Sequence, residues 1–138
     1  MVTIKLQDGY YSRVNYLNNG KILLLGCLLA SVNAYSDSQT CTGDVSTVEV
    51  AANGNIHASI KDSTGDTNFH SVGICRVTED VGEFAVESCK AALTLLTTAH
   101  ATGREVTLWF REDQFSSCTQ SWGEVWSQGV YHLRLKEG

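Results

Sequence analysis

The sequence predicts a mostly β chain of the α+β class: five strands forming a small barrel or a curved antiparallel sheet, with one amphipathic helix at about residues 85–102 between the third and fourth strands. Three observations predict it. Apolar and polar residues alternate at period two before residue 78 and again after residue 104. The period changes to three and four only between 85 and 102. The punctuation at the boundaries includes Asn53-Gly54, a tight-hairpin dipeptide, and Gly103, a helix stop.

The first segment with a readable purpose is not part of that fold. Lys21 is followed by Ile22-Leu23-Leu24-Leu25-Gly26-Cys27-Leu28-Leu29-Ala30 and then by Ser31-Val32-Asn33-Ala34. This is the basic start, short apolar middle and small-residue end of a secretory signal, with cleavage expected after Ala34. Nine apolar or small residues fall short of the ~20 that span a bilayer. Two alternatives stand beside it: a buried strand or helix, and a lipoprotein signal cut before Cys27. Residues 1–20, MVTIKLQDGYYSRVNYLNNG, are unusual ahead of a signal. They are expected to precede a true start near Leu17, the alternative being a genuine arm with Tyr10, Tyr11 and Tyr16 in an extra strand.

Residues 35–138 then form a single small domain. The whole chain has 10 Lys and Arg against 15 Asp and Glu, a net charge of −5. Removing residues 1–34 makes the balance more negative, because Lys5, Arg13 and Lys21 leave with only Asp8. Such a surface repels phosphate backbones and anionic headgroups, so nucleic acid is excluded as a partner and membrane insertion of the mature chain is not expected. Of 5 cysteines, Cys27 leaves with the signal. The remaining four read as two disulfides in an oxidising compartment. Of the three pairings, Cys75–Cys89 and Cys41–Cys118 are favoured: the first closes a short excursion from a strand into the following helix, the second ties the N-terminus to the loop before the last strand. No C-x-x-C or paired Cys/His spacing suggests a metal, and no cofactor motif is present.

Within the domain, residues 45–61 read as a hairpin. Val48 and Val50 alternate with Thr47 and Glu49, and Ile56, Ala58 and Ile60 with His57, Ser59 and Lys61. Residues 62–68, DSTGDTN, are a polar loop. A third strand at 69–77 carries Cys75. In the helix, Val86, Cys89, Leu93, Leu96 and His100 share one stripe, flanked by Ala92, Leu95 and Ala99. A fourth strand at 104–111 alternates Val106, Leu108 and Phe110 with Thr107 and Trp109. A polar loop at 112–128 precedes the last strand at 130–136, where Tyr131, Leu133 and Leu135 face one way and His132, Arg134 and Lys136 the other.

The order of three strands, one helix and two strands is that of a five-stranded OB-like barrel, whose helix lies between strands three and four. Against it stand Cys41-Thr42-Gly43-Asp44-Val45, Cys75-Arg76-Val77, Ser88-Cys89-Lys90-Ala91, Thr102-Gly103-Arg104-Glu105-Val106-Thr107-Leu108 and Cys118. In these segments the chain resembles a family of small exported bacterial proteins with four cysteines, over nearly all of residues 41–135. The resemblance implies export and brings no established activity. The helix that runs through a short turn into a strand is also similar to that of the receptor-binding B subunits of AB5 toxins. That likeness implies a ring-forming glycan binder on an OB barrel, but none of their sugar-binding motifs can be placed on this chain.

The candidate surface is the loop SSCTQSWGEVWSQG at 116–129. Trp122 and Trp126 lie four apart among Gln120, Glu124 and Gln128, a composition suited to stacking on sugars or anchoring a protein. Trp109 and Tyr131, on strands either side, extend the expected patch. The alternative is that one or both loop tryptophans close over the barrel mouth as core. No catalytic set emerges. His57, His70, His100 and His132 are scattered, His100 suits a helix C-terminus, and the Asp62–Asn68 loop lacks the register and closing glutamate of a calcium loop. The expectation is therefore an exported, non-enzymatic binding module in the periplasm or outside the cell, recognising a glycan or protein, with a homo-oligomer as one arrangement it allows. A periplasmic inhibitor acting by loop or strand-edge contacts and a small hydrolase with an unrecognised site are the alternatives.

Overall fold

A computed structural model describes residues 38–138 and two short strands nearer the N-terminus. The chain divides into two units, Met1–Asn33 and Ala34–Gly138. In the first, β1 (Val2–Lys5) and β2 (Tyr11–Val14) pair antiparallel, with Val2 opposite Val14 and Lys5 opposite Tyr11. Tyr11 is therefore in a strand. The expected signal, residues 21–34, with Cys27 and the cleavage point at Ala34, lies outside the described residues. No helix among the described residues is long and apolar enough to cross a membrane.

The second unit is mostly β with one long helix. Its strands are β3 (Gln39–Val50), β4 (Asn55–Lys61), β5 (Asn68–Arg76), β6 (Glu105–Phe110), β7 (Thr119–Ser121) and β8 (Val130–Leu135). The helix α1 (Val86–Thr102) separates β5 from β6, and a 3-10 helix (Val125–Gln128) separates β7 from β8. The strands form one mixed sheet in the order β7-β5-β4-β3-β6-β8, antiparallel throughout except for β5 with β7. The sheet has six strands rather than the expected five. The sixth, β7, falls inside the stretch read as loop, because Thr119-Gln120-Ser121 carries no apolar alternation.

The long first strand of the sheet shapes it. β3 starts at Gln39, well before the residue 45 expected from alternation. Its first half pairs with β6 (Cys41 opposite Leu108) and its second half with β4 (Val50 opposite Ile56). Asp44 stands in both registers, opposite Lys61 and Glu105, and a bulge follows between Val45 and Thr47. Gly43 sits at this handover, where an added Cβ would lie 2.6 Å from the Lys61 carbonyl carbon. Two backbones thus meet there with no room for a side chain. The turn after β3 is the expected one, with Gly54 at φ 86 and its N–H donating to the Ala51 carbonyl at 2.9 Å.

The stretch Thr119–Leu135 supplies both edges of the sheet. β7 lies parallel to β5, Glu124 continues that contact with a parallel bridge to Gly73, and β8 lies antiparallel to β6. Between these faces Ile56, Ile60, Phe69, Ile74, Leu96, Leu108 and Phe110 are fully buried. α1 closes this core with Cys89, Ala92, Leu96 and Ala99. The buried face is rotated from the expected stripe: Val86 and Leu93 are only half-buried and His100 is exposed. His100 clips α1 to β3 instead, its Nδ1 lying 3.0 Å from the Val45 carbonyl oxygen. The N-terminus of α1 is capped from a distance, since the Asp80 carboxylate accepts the Val86 N–H at 2.8 Å. Gly103 ends it at φ 64.

Two disulfides staple the unit. Cys75–Cys89 joins β5 to the first turn of α1, and Cys41–Cys118 joins β3 to the segment entering β7. On the chain-entropy account, their sequence separations of 14 and 77 correspond to about 3 and about 4.5 kcal/mol. Each is a large share of the stability of a domain this size.

Candidate functional site

The site begins at a fault in the β4–β5 ladder. His57 is opposite Gly73 and Ala58 opposite Val72, but Ile60 is opposite Phe69, so the pairing is irregular around His70 and Ser71. Ser71 adopts φ 47, and its buried N–H is satisfied by the Ser59 hydroxyl at 3.0 Å. Such a bulge re-aims the side chains beside it. The Ser71 carbonyl lies 3.1 Å from His57 Nδ1, and the His70 carbonyl accepts the N–H of Trp122 at 2.9 Å.

Trp122 is itself in left-handed backbone, at φ 57. That conformation costs a non-glycine residue about 1–2 kcal/mol, so neighbouring bonds must impose it. They are close at hand: the Trp122 N–H is held by His70, and the Gly123 carbonyl accepts the Gly73 N–H at 2.8 Å. A Cβ on Gly123 would lie 2.4 Å from Gln120 Oε1, so the Gln120 side chain would have to shift. As a result the indole stands out from the loop, 66% exposed. His70 meets it edge-on at 5.9 Å between centroids, and His57 is tilted against it at 6.3 Å. An open cleft of about 320 Å³ lies alongside, lined by Glu49, Val50, Ala51, His57 and Trp122.

The loop beneath is fixed by polar contacts. Gln120 and Gln128 exchange reciprocal amide hydrogen bonds, each 2.9 Å. Gln120 Nε2 also donates to the Ser117 carbonyl, and Gln128 Oε1 also accepts the Ser116 hydroxyl. The Cys118 carbonyl accepts the Asn68 N–H at 2.9 Å, and its sulfur is tied to Cys41. The cleft is therefore largely pre-formed, which lowers the ordering cost of binding.

The other residues expected at the site are placed differently. Trp126 is buried, at 7% exposure. Its ring packs directly on Gly73, where any side chain would collide with it, and Arg76 lies over it at 5.7 Å. It is part of the fold rather than the surface, because the 3-10 helix turns it under β5. Trp109 is half-buried, with His132 edge-on at 5.0 Å and Arg134 over it at 5.3 Å. Tyr131 lies in the β6–β8 irregularity under Arg111, at 4.8 Å. Neither lines the Trp122 cleft, so the expected continuous patch separates into two. Gln120 supports the loop from within. Glu124 contributes its backbone to the bridge with Gly73, and its side chain is exposed. His57, His70 and Glu49 were not among the expected site residues. Their only signal was polarity at alternating strand positions, which also marks a solvent face.

Away from the cleft, two carboxylates are held by local hydrogen bonds. Arg111 donates to Glu83 at 2.7 Å, which holds the Glu83 carboxyl below its ordinary value and the guanidinium above its own. In the Asp62 loop, partial burial pushes that carboxyl up. Hydrogen bonds from Gly65, Thr64 and Thr67 outweigh it, so the net displacement is downward. No group of three or more His, Cys, Asp or Glu among the described residues is placed to hold a metal ion. No protein-family model, curated protein or solved structure matches the chain.

Proposed function

We propose that residues 38–138 form an exported, non-enzymatic binding module of OB-like architecture that recognises a glycan through Trp122. The observation that carries this is the indole itself: two-thirds exposed, held in left-handed backbone and flanked by two imidazoles. A flat, rigid aromatic face with polar groups at its rim suits the apolar face and equatorial hydroxyls of a pyranose ring.

The architecture supports the same reading. β3 is shared between β4 and β6, α1 lies between β5 and β6, and the stretch that becomes β8 first runs parallel to β5. This pairing supports an OB-like reading in which the last strand is interrupted by the 3-10 helix. Ligands of that fold bind on its second and third strands, between the loop after the first strand and the loop before the last. The corresponding parts here are β4, β5, residues 51–54 and residues 111–129, and the cleft takes His57, Ala51 and Trp122 from them, with Glu49 and Val50 from the end of β3. The fold also hosts oligonucleotide binders, but a chain of net charge −5 repels phosphate. Two disulfides support an oxidising compartment, and membership of the exported four-cysteine family belongs to the same proposal. Val50, 62% exposed beside the cleft, favours a protein partner as the second reading.

The test is a glycan array and a pull-down with the oxidised protein, alongside Trp122→Ala. Glycan signal abolished by the substitution supports the reading. Pull-down of a protein without any glycan signal transfers the site to the second reading, and retention of all binding by Trp122→Ala removes the site assignment.

A further inference from the structure

Resting on the glycan reading, the geometry points to an uncharged pyranose as the ligand of the Trp122 cleft, with Glu49 as the residue that rejects acidic sugars. The inference comes from the hydrogen-bonding character of the cleft wall. Glu49 is the cross-strand partner of His57 and lines the cleft with it. It is exposed, and among the described residues it makes no ion pair and no side-chain hydrogen bond. An ionised carboxylate has only acceptor sites to offer, up to four lone pairs on two oxygens.

His57 offers the same. Its Nδ1 faces the Ser71 carbonyl at 3.1 Å, and a carbonyl accepts only, so the proton of the neutral ring belongs on Nδ1. That assignment leaves Nε2 as an acceptor. No lysine or arginine lines the cleft. The two polar groups on the wall beside Trp122 are therefore both acceptors, one of them negatively charged. The matching ligand is rich in donors and carries no negative charge. A neutral pyranose stacked on the indole presents hydroxyl protons to both groups, and charge-assisted bonds to Glu49 are the stronger of the two. A carboxylate or sulfate ester in the same place meets like charge at Glu49, with the Trp122 indole N–H the one side-chain donor on the lining, a mismatch that discriminates more sharply than lost contact. His70, the other titratable group at the indole, is exposed, meets it edge-on and is not among the residues lining the cleft.

The experiment presents matched neutral, uronic-acid, sialylated and sulfated glycans at pH 7.5 to the wild-type protein and to Glu49→Gln, Glu49→Lys and Trp122→Ala. Neutral glycans are expected to bind wild type at least about tenfold more tightly than their acidic counterparts. Glu49→Gln is expected to weaken neutral binding by about tenfold or more, and Glu49→Lys to move the preference toward the acidic set. Glu49 is exposed, and an unchanged melting temperature in each variant shows that the fold is intact. Glycan binding that depends on Trp122 but is blind to ligand charge, or that changes less than twofold in Glu49→Gln, overturns this inference and leaves the glycan reading standing. Binding of neither glycan class overturns both.

Discussion

Trp126 and Trp122 lie four residues apart in the same polar loop, yet truncating each should have opposite consequences. Trp126 is 93% removed from solvent and packs on Gly73 and beneath Arg76. A buried tryptophan removes about 200 Å² from water, worth ~5 kcal/mol at 25 cal/mol per Å². Alanine recovers only a small part of that, and direct measurements of Trp→Ala in cores run at about 3–5 kcal/mol. Against a total of about 5–15 kcal/mol for a domain of this kind, Trp126→Ala should remove about a fifth or more of the stability. Its melting temperature should fall by about 15 °C or more. Trp122, 66% exposed, should cost about 0.5 kcal/mol or less as alanine. Trp122→Gly should be no less stable than Trp122→Ala, because glycine occupies the left-handed conformation without strain. Urea unfolding of the oxidised variants, monitored by circular dichroism, reads all three. A Trp126→Ala midpoint equal to wild type, or a loss of 3 kcal/mol at Trp122→Ala, would refute the division of the two residues into core and surface.

Other predictions concern what holds the loop. Replacing Cys41 and Cys118 together by alanine should cost up to about 4.5 kcal/mol and weaken any ligand that contacts Trp122; an unchanged denaturation midpoint contradicts this. Gly73→Ala should destabilise by about 1–3 kcal/mol through overpacking against Trp126, visible as a lowered melting temperature, whereas Gly65→Ala meets nothing within 4 Å and suffers only backbone strain. Gln120→Ala breaks the reciprocal pair with Gln128 and should weaken ligand binding more than it lowers the melting temperature. For pH, the Arg111 hydrogen bond depresses the Glu83 carboxyl. Its contribution is therefore present above the ordinary carboxylate range and is lost as pH falls through the depressed value. Carboxyl NMR shifts should show Glu83 titrating higher in Arg111→Gln than in wild type, and coincident curves would contradict the assignment.

Much of the scaffold could be read without coordinates, for local reasons. The helix after residue 85 announces itself by its change of period and its glycine stop. Four cysteines in residues 35–138 allow three pairings, and the structure joins Cys41 with Cys118 and Cys75 with Cys89. The first half of β3 was hidden because its buried positions before Val45 are Cys41 and Gly43, which carry little strand signature, while Thr42 meets Thr107 through their hydroxyls at 2.8 Å. β7 was hidden because three polar residues form a strand only when β5 offers an edge. The tryptophans could not be sorted locally, since what buries Trp126 is a glycine on β5 fifty-odd residues earlier. The site itself was half-legible. Trp122 was visible in the loop, but its flanking imidazoles come from β4 and β5 and face it only because the ladder bulges at Ser71.

The most direct test follows the indole N–H signals of the 3 tryptophans by NMR while a neutral oligosaccharide is titrated into the oxidised protein. The Trp122 signal should move with saturation, while those of Trp126, enclosed under β5, and Trp109, enclosed by His132 and Arg134, should stay in place. Saturable binding that shifts Trp109 and leaves Trp122 unmoved would contradict the assignment of the cleft as the ligand site.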